Sequence, residues 1–230
     1  ICPIAYIMGA SQAMEQALGV EVTGPLRDLR RLIYCGEWIQ SHILHAFMLH
    51  APDFLGYEDS LQLAKDHPDV VTKALELKKI GNELMELLGG RPVHPVNLKV
   101  GGFYALPSKT EMRAMGECLK HAVDLARQAV ETVGGFPVPE IERDYTFVAL
   151  HHPDEYAITH GRLVSNRGLD IPVPEFPEHF HEEHVKRSNA LHGVMKDGTV
   201  YHVGPLARYA LNFDQLRPEV KDAAARAGLG

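Results

Sequence analysis

The 230-residue chain is 45% hydrophobic and carries 23 basic against 30 acidic residues, for a formal net charge of -7. That balance, with no basic run interleaved with aromatics, argues against a nucleic-acid partner, and the hydrophobic fraction excludes a disordered chain. Three cysteines, at positions 2, 35 and 118, are too few and too scattered for a disulfide framework, which fits a reducing, cytoplasmic compartment.

Opening on Ile1-Cys2-Pro3, the sequence reads as the interior of a longer polypeptide. From Pro3 to Leu18 small and apolar residues recur at helical spacing, and Gly19 is a natural stop, so a first helix is expected to begin directly after Cys2. Pro25 suits the first turn of a second, longer helix with Leu26, Leu29, Ile33, Ile39, Ile43 and Phe47 on one stripe and Ala51-Pro52 at its end. Within it, the mainly apolar stretch from Leu32 to Ala51 is broken by Glu37, Gln40, His42, His45 and His50. It is a poor membrane span, and its apolar girth implies burial among other helices. Pro68 opens a third helix in which Val71, Leu75, Ile80, Leu84, Leu87 and Leu88 stack before Gly89-Gly90. Two prolines and Gly101-Gly102 make Arg91 to Phe103 a loop or short hairpin. Ser108 and Glu111 then form a capping-box pattern ahead of a helix that ends at Gly134-Gly135.

After about Phe136 the texture turns to short strands: Tyr145 to Leu150, Ile158 to Leu163, and a hairpin from Val194 to Val203 turning at Asp197-Gly198. Asp214 to Ala227 returns to helix. The expected fold is mainly α with a small antiparallel β region (α+β), one domain over 1–230 that is mostly helical over 1–135, β-rich over 136–213 and helical over 214–227.

Four groups of residues carry chemistry worth weighing. Cys2 stands at a helix N-terminus, where unpaired amides favour thiolate and make a good metal ligand, but a free surface thiol fits the same residues. In His179-Phe180-His181-Glu182-Glu183-His184 the spacing misses the two-histidine helix motif by one residue, so a polar segment is preferred to a metal site. His42 and His45, three apart on the long helix, read as packing residues. His94, Asn97 and Lys99 put several donors on a glycine-constrained loop, which serves a functional contact or an ordinary turn equally well.

Several separated words, in order, extend the reading. They are Ile1 to Tyr6; Gly36-Glu37-Trp38-Ile39-Gln40-Ser41-His42 with Ala51 to Gly56; Gly90 to Phe103; Glu182 to Val185 with Ser188 to His192; and Val203 to Arg208. Along the whole chain they resemble the large (alpha) subunit of [NiFe] hydrogenases, especially its cytoplasmic, NAD(P)-linked, sulfhydrogenase-like branch. The resemblance implies the helical-core fold of that family, incomplete at both ends. It implies that Cys2 is the second cysteine of the N-terminal pair, whose sulfur bridges nickel and iron. The partner cysteine would lie upstream of Ile1, and the last two ligands in a C-terminal Asp-Pro-Cys-x-x-Cys motif beyond Gly230. Cys35 and Cys118 stand in no such context.

By the same resemblance, the full-length protein would hold a nickel-iron centre whose iron carries carbon monoxide and cyanide, and would split H2 heterolytically. Electrons would leave through an iron-sulfur small subunit and reach NAD(P) through flavin subunits. His94 and Lys99 would lie beside the ligands or at the small-subunit interface. Tyr6 replaces a histidine that many family members carry four residues after the bridging cysteine, and a phenol does not titrate near neutral pH as imidazole does. Two alternatives remain: a non-catalytic structural subunit related to the quinone-facing subunit of complex I, and an inactive truncated product.

Overall fold

Proline at a helix start loses nothing, because its missing N–H is one that the first turn leaves unpaired in any case. Pro3 uses this to open α1 (Pro3–Leu18), which stops where Gly19 turns left-handed at φ 66 and its amide bonds back to the Gln16 carbonyl. The computed structural model describes residues 2–139 and 141–228, so Ile1 of the first sequence word lies outside the described residues. The chain divides into two compact units: residues 1–138 with 223–230, and residues 139–222.

In the first unit, α2 (Gly24–Ile43) carries Pro25 in its first turn and buries Ile33 against Ile4 and Met8 of α1. Ala51-Pro52 does not end this helix, contrary to expectation. The backbone widens into a π-helical stretch over Leu44–His50, in which the Ala51 amide reaches back to Ala46, and continues as α3 (Ala51–Leu55). Pro52 falls in the first turn of that new segment, where its missing donor costs nothing. Gly56, left-handed at φ 78, closes α3. A short α4 (Ser60–Asp66) follows, capped by the Asp59 carboxylate, which accepts the Gln62 amide at 2.8 Å.

Helix α5 (Pro68–Gly89) runs to Gly90, left-handed at φ 78, as its sequence predicts. It buries Val71, Ile80, Leu84 and Leu88, whereas Leu75 is 49% exposed and leaves the expected stripe. Helices α2 and α5 pass close to one another at two glycines. A β-carbon on Gly81 would sit 2.7 Å from the Gln40 amide nitrogen and 2.9 Å from the Gly36 carbonyl oxygen. The next segment makes a minimal hairpin of β1 (Leu98–Lys99) and β2 (Gly102–Phe103), in register Leu98 to Phe103. Helix α6 (Lys109–Gly134) opens on a complete capping box: Ser108 Oγ accepts the Glu111 amide at 3.2 Å and Glu111 accepts the Ser108 amide at 2.7 Å.

The second unit is built on an antiparallel sheet of β3 (Val148–His151), β4 (Arg162–Ser165) and β5 (Asp170–Pro172). The strand expected at Ile158 to Leu163 begins only at Arg162. Gly161, at φ 145, presses against the His151 backbone and interrupts the run. A short α7 (Phe176–His179) leads into β6 (Phe180–Glu183), which pairs with β7 (His192–Met195). The turn at Asp197-Gly198 exists, with the Gly198 amide on the Met195 carbonyl at 2.9 Å, but its arms do not form the expected hairpin. Its first arm is taken by β6, and His202 of the second bridges in parallel to Phe147. Val148, Ile171 and Phe180 make the core of this unit.

Helix α8 (Pro205–Leu211) carries no strong signal in the sequence beyond Gly204-Pro205. The final helix, α9 (Pro218–Arg226), starts later than Asp214, after a 3-10 turn over Phe213–Gln215. Pro218 suits a first turn and biases Arg217 away from helical geometry.

Because the α2–α5 crossing leaves no room for a side chain, Gly81→Ala is expected to destabilise the full-length subunit by about 1–3 kcal/mol, measured as a shift in denaturant midpoint. A loss below about 0.5 kcal/mol would show that the two helices part without strain.

Candidate functional site

A helix begins with amides that have no partner inside it, and each must be accounted for. At the start of α1 the accounting closes. Pro3 has no N–H. The Ile4 and Ala5 amides donate to the two oxygens of Glu37, at 2.7 and 3.3 Å, and the Tyr6 amide donates to the Cys2 carbonyl at 3.3 Å. Cys2 occupies the cap position, yet its side chain makes no capping bond and its thiol is exposed. An acceptor delivered from α2 therefore does what a serine or aspartate at position 2 would otherwise do.

Glu37 is 2% exposed. Burial pushes its carboxyl above the ordinary range, partly opposed by the Ile4 and Ala5 amides. One turn earlier on α2, the Tyr34 phenol is pushed up to about 12, first by burial and then by the neighbouring charges of Glu37 and Cys2. Tyr34 thus keeps its proton at any working pH, with its ring edge-on to Trp38 at 6.4 Å.

Near its other end α1 is fastened again. Arg30 of α2 grips Glu15 as a two-pronged pair, Nη1 to Oε2 at 2.8 Å and Nη2 to Oε1 at 2.6 Å, with both side chains buried. The same guanidinium donates to the Lys99 carbonyl at 2.9 Å, and Glu15 Oε1 accepts the Gly101 amide at 2.7 Å. The β1–β2 turn is therefore pinned to α1 through charge-assisted bonds.

The residues singled out from sequence fall in different places. Cys2 and Tyr6 share the first turn of α1, and the Tyr6 ring is 71% exposed. Lys99 is exposed, with Nζ 5.3 Å from the Tyr104 ring centre. Because its backbone is tied to the Glu15 end of α1, about 20 Å of helix at 1.5 Å per residue separates that tie from Cys2. His94 is exposed at φ 54, the sole non-glycine residue with positive φ among the described residues. His42 and His45 do not pack inside as expected. His42 lines an open apolar groove beside Trp38, and His45, past the point where the π-helical stretch rotates the chain, lies exposed with Nε2 2.9 Å from that of His50.

Sequence reasoning quoted Glu37 within a longer word and gave it no role, and it missed Glu15, Arg30 and Tyr34. The available signal was that Arg30, Ile33 and Glu37 share one helical face, with charged residues at positions whose period points inward.

Cys2 is a free, soft donor that fits one position of a multi-thiolate centre. No group of three or more His, Cys, Asp or Glu that could hold a metal ion occurs among the described residues. Cys35 lines the apolar groove, and burial raises its thiol pKa, with Arg31 opposing, which suits an inert thiol.

No family model matches the chain. The alpha subunit of sulfhydrogenase 1 from Pyrococcus furiosus is 30% identical over 223 residues, 96% of this chain and 52% of that subunit. The alpha subunit of sulfhydrogenase 2 from the same organism is 39% identical over 130 residues, 56% of this chain and 32% of that subunit. Among solved structures, an NAD+-reducing [NiFe]-hydrogenase in the H2-reduced state superposes with a TM-score of 0.88 at 22% identity, covering 98% of this chain and 56% of the other. A variant of the [NiFeSe] hydrogenase from Desulfovibrio vulgaris Hildenborough gives 0.75 at 23%, over 97% and 56%. The fold is that of the [NiFe]-hydrogenase large subunit. Over nearly its whole length the chain is similar to hydrogenase alpha, or large, subunits, and it spans about half the length of the relatives it matches.

Removing Arg30 leaves Glu15 charged and buried without its partner. Arg30→Ala is expected to cost about 3–5 kcal/mol in a denaturation series, with Arg30→Lys recovering only part because an ammonium cannot make the fork. A cost below about 1 kcal/mol would show that the pair is not an anchor.

Proposed function

We propose that this chain is the N-terminal-cysteine part of a [NiFe] hydrogenase large subunit that cleaves H2 reversibly and heterolytically. In this reading electrons pass through an iron-sulfur small subunit and flavin-bearing subunits to NAD(P), in the cytoplasm. The observation that carries it is the likeness to a sulfhydrogenase alpha subunit over 96% of the chain, joined to an uncommitted thiol at the cap of α1. No helix among the described residues is long and apolar enough to cross a membrane.

When bound, a nickel-iron centre with carbon monoxide and cyanide on iron supplies the H2-splitting chemistry. Cys2 would hold that centre through its sulfur, a soft donor suited to such metals. The Tyr34 phenol, with its pKa near 12, keeps its own proton at working pH. Tyr6, exposed on the same turn, offers a second phenol where an imidazole would titrate. His94 and Lys99, on the far loop, are assigned to the small-subunit face.

Cys2→Ser in the full-length, assembled enzyme is expected to abolish both nickel retention and H2 uptake, as read by metal analysis and a hydrogen electrode. Wild-type nickel content in that variant would overturn the assignment of Cys2. Wild-type protein that carries no nickel would overturn the hydrogenase reading itself.

A further inference from the structure

We propose that Glu37 is the positioning residue for Cys2: it replaces the missing cap of α1 from outside the helix, frees the Cys2 side chain from capping and sets the direction in which the sulfur is presented. This rests on the reading of Cys2 as a metal ligand.

The argument begins from a conflict at position 2. The residue in front of a helix is ordinarily the one whose side chain folds back over the first amides. A side chain committed to a metal must point the other way, leaving those amides buried and unpaired, which is costly. Glu37 resolves the conflict. Its two oxygens take the amides two and three residues beyond Cys2, at 2.7 and 3.3 Å, from a carboxylate that solvent scarcely reaches.

The reference frame of this acceptor is rigid. Glu37 follows Gly36, whose backbone packs tightly on α5: a β-carbon there would meet the Gly81 carbonyl oxygen at 3.1 Å and the Met85 side chain at 3.1 Å. Directional bonds from a fixed helix therefore reach to within two residues of the thiol. Groups that orient a ligand from one contact away are known to govern metal affinity by factors of about 10–100.

The experiment compares Glu37→Ala and Glu37→Gln with wild type in the full-length enzyme assembled with its partner subunits. Glu37→Ala is expected to lower nickel content about tenfold or more. Glu37→Gln keeps an acceptor oxygen without the charge. It is expected to restore nickel to within about twofold of wild type while shifting the infrared stretching bands of the iron-bound carbon monoxide and cyanide. A residue that only stabilised the fold would leave those bands where they are in whatever metal centre survives.

A second readout needs no metal. In full-length chain produced without nickel, hydrogen exchange at the Ile4 and Ala5 amides should quicken in Glu37→Ala, while exchange at Leu84 and Leu88 in α5 stays unchanged. Unchanged exchange at Ile4 and Ala5, or wild-type nickel in Glu37→Ala together with unshifted bands in Glu37→Gln, would overturn the role of Glu37. Absence of nickel from wild type would instead overturn the reading of Cys2, so the two failures are separable.

Discussion

Two buried carboxylates, Glu37 at one end and Glu15 near the other, fix α1 to α2, and the placement of the thiol depends on them. Apolar contacts alone would not suffice. Ile4 and Met8 bury their side chains against Ile33 and the α5 leucines, but such contact is non-directional and tolerates rotation and sliding of a helix on its neighbour. Hydrogen bonds from a carboxylate to named amides do not. Burying these charges costs desolvation, which is repaid only because the partners are complete: two amides for Glu37, a guanidinium fork and an amide for Glu15.

The order of dependence runs inward from backbone packing. Gly36 and Gly81 let α2 and α5 approach until main chain meets main chain, leaving α2 little freedom to shift. Arg30 and Glu37 project from that fixed helix toward α1, and Arg30 extends the grip to the Lys99 carbonyl. One helix thus sets the start of α1, its far half and the β1–β2 turn. On the proposed reading of Cys2 as a metal ligand such precision would have a use, since a metal centre tolerates little misplacement of a ligand.

Helix α2 also shows how a local register change alters what is exposed. Through Ile43 its apolar stripe faces inward. The π-helical stretch that follows then turns Leu44, Leu49 and the His45–His50 pair outward. Periodicity of 3.6 carried across this break mis-assigns positions beyond it, although Phe47 stays buried as its place on the stripe predicts. That is why His45 reads as a packing residue; Pro52 reads as a helix end because proline ordinarily breaks a helix interior.

What the sequence by itself determined was whatever has its physical cause within a few residues. Pro3 with Gly19, Pro68 with Gly90 and the Ser108–Glu111 box each bound a helix by a steric or hydrogen-bonding rule that needs no distant partner. The residues around Cys2 left a metal ligand and a free thiol equally open, and only the resemblance along the whole chain pointed to a ligand. Tertiary structure alone decided the rest: that Glu37 reaches 33 residues back to Ile4, that Arg30 joins Glu15 to a carbonyl 69 residues on, and that β7 pairs with β6 rather than across the Asp197-Gly198 turn. Those choices compare the free energies of alternative partners far apart in the chain, and no short stretch of residues carries that comparison.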